Sequence, residues 1–341
     1  MRTETTAVLR AWLPKYGVYA AILLLIAYNL LFTPNFLTWS NLRIQLVQVA
    51  PIVIVALGMA LVIGTEGIDL SVGSVMALAA ALIPLYLGYG VGAAFAVALL
   101  AGIAVGLVNG VLVARVGLQP IVATLALFVG GRGLALVISD GQLKDIRNES
   151  LIFLGSGDLL GIPVLVWIAA LLVGVIAFVV RRTVLGRRLL AIGGNRAATT
   201  LAGVPVTRVL ITVYVLCAVL AALAGLLAVA RIQSSDASSV GLLIELSAIT
   251  AVVVGGTPLT GGTVRILGTV AGALLMQLVI ATMIKHNLPA STTEMIQAVI
   301  ILLAVYAARE RKTGDRRTSA RERRATARPR RHVAAPAEET R

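Results

Sequence analysis

The chain has 341 residues, 59% of them hydrophobic and 13% charged, against about 25% charged in a soluble globular domain. That balance excludes an ordinary water-soluble fold and predicts an all-α, polytopic membrane protein of about ten transmembrane helices, some interrupted by glycine. The formal charge of +14 is no nucleic-acid signature, because half of it comes from twelve Lys/Arg and five Asp/Glu beyond Ala308, where no aromatic residues interleave the arginines.

Taken along the chain, apolar runs predict spans at 17–33, 44–64, 70–88, 91–114, 118–138, 163–180, 209–230, 245–257, 264–284 and 293–308. Each approaches the roughly 20 residues needed to cross a bilayer, although 245–257 is short and is followed by glycine pairs at Gly255-Gly256 and Gly261-Gly262. No small-x-small cleavage site follows the first run, so it reads as a retained helix rather than a signal peptide. Residues 1–16 then form a cytoplasmic segment, 17–308 the membrane domain, and 309–341 a disordered basic cytoplasmic tail lying near anionic lipid. Arg115, Arg181, Arg182, Arg187, Arg188, Arg196 and Arg208 follow even-numbered spans, which places both termini in the cytoplasm.

Between the second and third spans, Glu66 and Asp69 with Gly64, Gly67 and Gly73 break an otherwise apolar run. An intramembrane carboxylate lines a water path, pairs, or sits at an interface. With this topology the break falls at the cytoplasmic rim, where Asp69 beside Ser71 is expected to cap the third span rather than gate a path. Glu66 is expected to pair with Arg115 or Arg265, or to be a solvated loop acid. Gln45, Gln48, Asn109, Thr124, Gln277 and Gln297 are the neutral polar groups inside spans, suited to a sugar path but more commonly used in helix–helix bonding. Arg132 reads as lying near a helix end or paired, and Glu245 as a cap or ion pair at the eighth span.

Residues 181–209 form the sizeable internal cytoplasmic loop. Asn195 is a suitable N-cap for two helical turns over 196–202, with Gly203 ending them in the left-handed region and Pro205 blocking continuation. Small residues Ala197, Ala198 and Ala202 would admit either a partner surface or the protein's own face. Residues 60–73 weakly echo 251–262, the kind of glycine-interrupted pairing that marks a translocation path. No phosphate-binding loop is present, since no lysine follows a glycine, and neither Cys217 nor the two histidines has metal-ligand spacing.

Four stretches in order carry a family likeness: Gly67-Ile-Asp-Leu-Ser-Val-Gly; Asn109-Gly with Gln119-Pro-Ile-Val-Ala-Thr-Leu and Arg132-Gly; residues 186–206; and Glu245-Leu-Ser-Ala-Ile-Thr-Ala-Val-Val-Val-Gly-Gly-Thr-Pro-Leu-Thr-Gly-Gly. With these the chain resembles the permease subunits of bacterial ABC importers for ribose-type sugars, over about residues 40–308. The resemblance implies a transport subunit without its own ATPase site, binding no cofactor, with ATP and Mg in a partner ATPase. It also implies a periplasmic or lipid-anchored sugar-binding protein, a second permease copy (a homodimer) and the inner membrane as location. On the same grounds 186–206 would be the ATPase-coupling segment, using Gly186, Arg187, Arg188, Gly193, Gly194, Asn195, Ala197, Ala198 and Gly203. Pathway or gate candidates are Glu66, Asp69, Ser71, Asn109, Thr124, Glu245, Gly255, Gly256, Gly261 and Gly262. Glu66, Val264 and Arg265 depart from the family pattern. The alternatives are a nucleoside or sugar-derived autoinducer importer of the same superfamily and, in a different class, an ion-coupled secondary transporter.

Overall fold

A computed structural model describes residues 2–289 and several positions between 291 and 302, with side chains from Gly17 onward. Most of the tenth predicted span, including Gln297, and the whole basic tail lie outside the described residues. In a bilayer each backbone N–H and C=O must be satisfied within the protein, so the apolar runs form helices.

The helices are α1 (Arg2–Phe32), α2 (Trp39–Gly64), α3 (Val72–Tyr86), α4 (Val91–Val111), α5 (Pro120–Ser139), α6 (Glu149–Ser156), α7 (Val164–Arg182), α8 (Val184–Gly194), α9 (Arg196–Leu201), α10 (Val206–Ile232), α11 (Ile244–Val254) and α12 (Ile266–Lys285). Among the described residues seven are long and apolar enough to cross a membrane, and Gly17–Phe32 and Ile244–Val254 are shorter apolar helices. These correspond to the first nine predicted spans. The sequence-based reading did not anticipate that α1 would start at Arg2, that α4 would be extended by a π-helical turn (Leu112–Val116), or that α6 would form between the fifth and sixth spans. Strand is confined to two-residue pairs: β1 (Lys144–Asp145) lies antiparallel to β4 (Ser234–Ser235), and β2 (Asp158–Leu159) to β3 (Ile162–Pro163).

Helix α10 is the axis of the bundle, packed by α2, α3 and α4. Its Tyr214, Cys217, Ala218, Ala221 and Ala224 are completely buried. Close approach comes from small residues at four-residue spacing. On α4, Gly102 lies on Ala218 and Ala222, Gly106 on Tyr214 and Val215, and Gly110 on Ile211. From α2, Gly58 lies on Cys217.

The two ends of the bundle differ chemically. Trp39, Tyr86, Tyr89 and Trp167 are exposed near the ends of α2, α3 and α7 on one side, as in an aromatic interface belt. The exposed Arg181, Arg182, Arg187, Arg188, Arg196 and Arg208 lie at the other.

The α4–α10 seam makes a direct prediction. A Cβ at Gly106 would stand 2.6 Å from Val215 Cα, whereas one at Gly174 on α7 would meet nothing within 4 Å. Gly106→Val is expected to lower the detergent-phase unfolding midpoint, at a cost of about 1–3 kcal/mol for overpacking, while Gly174→Val leaves it unchanged; thermal unfolding of the two variants checks this.

Candidate functional site: paired re-entrant segments

At Gly64 the chain leaves α2 and doubles back on itself. Thr65 and Gly67 both donate their amides to Val62 O, and Glu66 takes a left-handed conformation (φ 67°) to make the turn. Residues 67–71 then run back into the bundle beside the helix just left. Gly67 is required here, since a Cβ would stand 2.7 Å from Tyr214 Oη.

Asp69 ends this return and is 0% exposed. Its Oδ1 accepts from Ser71 N (2.9 Å), Ser71 Oγ (2.6 Å) and, at 3.5 Å, Asn109 Nδ2. Asn109 gives its shorter bond, 2.8 Å, to Ser71 Oγ. Thr124 Oγ1 donates to Ile68 O (3.3 Å) and Pro120 O (2.9 Å). The thiol of Cys217 completes the wall. Cys217 is the twelfth residue of α10, about 17 Å along it at 1.5 Å per residue.

This corrects two expectations. Asp69 is not at the rim but deep in the bundle, because the segment re-enters instead of merely turning. Nor is it the N-cap of α3: Ser71 holds that position, without a side-chain cap bond, and Asp69 holds Ser71.

A second re-entrant segment follows α10. Gln233 turns the chain (φ 57°), Ser235 Oγ bonds Ala80 O (2.7 Å), and the chain descends along α3 to Gly241. Asp236 Oδ1 accepts from Ser238 N (2.9 Å) and Ser238 Oγ (2.6 Å), the same distances as Asp69 with Ser71. The starts of α2 and α10, and the two aspartates, are both separated by 167 residues. The long helices run in opposite directions, so the two units form an inverted pair. The echo read between 60–73 and 251–262 is therefore not the repeat; those segments are neighbours, with Gly262 N donating to Gly64 O (3.0 Å).

The half-helices α3 and α11 meet at their starts. A Cβ on Gly241 (φ +71°) would lie 2.6 Å from Gly73 O, and one on Gly73 would lie 2.6 Å from Glu245 Oε2. Glu245 is 4% exposed, and that oxygen has no hydrogen-bond partner. Arg132, inside α5 rather than near its end, spans the junction. Its Nη1 donates to Ala237 O and Val240 O (both 2.9 Å) and Ser238 O (3.4 Å), and its Nη2 to Gly73 O (3.4 Å).

At the basic end, Thr183 caps α8 by accepting from Gly186 N (3.3 Å), and Asn195 caps α9 by accepting from Ala198 N (3.0 Å); Gly203 has φ +77°. Arg187, Arg188, Gly194, Asn195, Ala197, Ala198 and Gly203 are exposed. Gly186 and Gly193 are buried and do not belong to an outward surface: Gly186 packs on Val180, and Gly193 on Gly64 and Gly262. Leu201, 90% exposed, was missed because an apolar residue ending a short helix reads as packed. Gly255 packs on Gly268, while Gly256 and Gly261 take positive φ and shape the loop beyond α11. Gln277 bridges α12 to α2 through Gln45 (2.8 Å) and Gln48 (2.7 Å), a helix–helix use of amides. Among the described residues no group of three His, Cys, Asp or Glu could hold a metal ion.

Ser71→Ala removes the strongest partner of a buried carboxylate and is expected to cost about 1–3 kcal/mol, read as a lowered unfolding midpoint in detergent. Ser247→Ala, a partly exposed position on α11 with a long 3.5 Å bond, is expected to leave it unchanged.

Residues 41–305 match the family model described as the permease component of branched-chain amino acid transport systems. The chain is 40% identical over 309 residues to a ribose import permease protein of Escherichia coli K12, covering 89% of this chain and 96% of that one. It is also 40% identical to a galactofuranose transporter permease protein of the same organism, over 77% of this chain and 78% of that one. An L-arabinose ABC transporter permease protein of Azospirillum brasilense is 38% identical, over 89% of each chain. No solved structure matches.

Proposed function

Because the chain belongs to the family of ribose-type sugar permeases of ABC importers, we propose that it moves a monosaccharide (a pentose, hexose or related polyol) across the inner membrane, driven by ATP hydrolysis in a partner ATPase. The observation that carries this is the 40% identity over 89% of the chain to a ribose import permease. The inverted pair of re-entrant half-helices supports it, since such breaks are placed where substrates cross.

The basic end faces the cytoplasm on this reading, and the exposed surface of α9, with Ala197, Ala198 and Leu201, docks on the ATPase. Behind that surface Gly193 touches Gly64 and Gly262, the turn of the first re-entrant segment and the loop after α11. A displacement of α8 and α9 is thereby passed to both half-helices through rigid backbone contacts. A sugar-binding protein delivers cargo at the aromatic end, and a second copy of the chain completes the path.

In proteoliposomes holding the permease, its ATPase and its binding protein, ATP is expected to drive uptake of at least one of D-ribose, L-arabinose, D-fructose and D-galactose. The Ala198→Glu, Leu201→Asp double variant is expected to lose ATPase co-purification and to cut uptake about tenfold or more, as truncation of a central contact does. ATP hydrolysis by the unmodified complex with no sugar taken up would overturn the substrate assignment, and a fully coupled double variant would overturn the docking surface.

A further inference from the structure

The two aspartates of the inverted repeat each accept from the serine two residues on, but in opposite surroundings. Asp69 is sealed against Asn109 and Cys217, whereas Asp236 and Arg132 are partly exposed, and Ser238, Ser239, Leu242 and Leu243 are exposed. The descending segment lies between the levels of Ala80 and Gly73 on α3. Those positions precede Tyr89, at the aromatic end, by nine and sixteen residues, about 13 and 24 Å of helical rise. Both fall within a hydrocarbon core about 30 Å thick.

Irregular backbone, a carboxylate and a guanidinium do not face lipid at such a depth. This surface therefore faces water or protein. Its chemistry is that of polyol recognition: a carboxylate accepts from two neighbouring hydroxyls, serine hydroxyls both donate and accept, and a guanidinium donates. Glu245 Oε2, buried and unpartnered behind Gly73, adds a second acceptor that separation of Gly73 from Gly241 would uncover.

We propose that Asp236, Ser238, Arg132 and Glu245 form a way station for neighbouring hydroxyls of the transported sugar, partway along a water-filled path. One repeat thus spends its aspartate on the fold and the other on the cargo. The assignment rests on the sugar-import reading.

The test uses the assembled complex in proteoliposomes. The natural Cys217 is buried, so a membrane-impermeant methanethiosulfonate reports on an introduced cysteine. Leu242→Cys is expected to react at least about tenfold faster than Leu100→Cys, which is exposed on the apolar surface of α4 and buried in lipid. D-ribose, or whichever monosaccharide of the panel is carried, is expected to slow the labelling at 242. Asp236→Asn is expected to lower sugar moved per ATP about tenfold, the worth of a hydrogen bond to a charged group, while binding-protein-stimulated ATP hydrolysis is retained; Ser238→Ala should act in the same direction.

Labelling at 242 no faster than at 100, or wild-type sugar per ATP in both Asp236→Asn and Ser238→Ala, would overturn the way station. If the unmodified complex carries no monosaccharide at all, it is the transport reading that fails, and the way station falls with it.

Discussion

A carboxylate and a stretch of non-helical backbone sit inside a lipid-embedded bundle, and the surrounding structure is arranged to hold the backbone and one carboxylate oxygen, Oδ1, while Oδ2 is buried without a hydrogen-bond partner. Asp69 is wholly buried, yet Ser71 gives its Oδ1 two short hydrogen bonds and Asn109 reaches the same pair from α4. The carbonyl of Ile68 is taken up by Thr124 from α5. Two separate helices, α4 and α5, are thus tied to one short return. Without those partners the segment would leave polar groups bare in a low-dielectric interior, at a cost that a marginally stable fold does not absorb.

The second return is built from the same Asp-x-Ser unit but is held from outside, by Arg132 donating to its carbonyls. The inverted pair is therefore similar in backbone and different in chemistry. Glycine–glycine contacts link the parts: Gly73 with Gly241 at the meeting point of the half-helices, and Gly193 with Gly64 and Gly262 toward the basic end. Backbone against backbone leaves no flexible side chain to absorb a displacement, which suits a transmission path better than a cushion.

The helical spans were legible because twenty-residue apolar runs are local facts. So was the Asn195 cap with its Gly203 stop, which depends on a few adjacent residues. The depth of Asp69 was not legible, because it follows from a return of the chain that sets residue 69 against residue 217. A rim position and a deep position have the same local sequence. Asp236 was overlooked for the opposite reason, since a polar stretch between two spans reads as an ordinary loop. The signal that would have exposed it was the recurrence of Asp-x-Ser 167 residues after Asp69, at the same offset as the helices α2 and α10.

The central claim is that the two half-helices meet in the membrane interior and must move apart for cargo to pass. Ala77 of α3 and Ala237 of the second return are buried in one cluster. The most direct measurement joins them with a short thiol cross-linker, as an Ala77→Cys, Ala237→Cys pair in a Cys217→Ser background, in the complete reconstituted complex. The account predicts that the cross-linked complex still hydrolyses ATP but imports no sugar, and that a cleavable linker restores import on reduction. Full import with the cross-link intact, or failure of the two positions to cross-link in a folded complex, would contradict it.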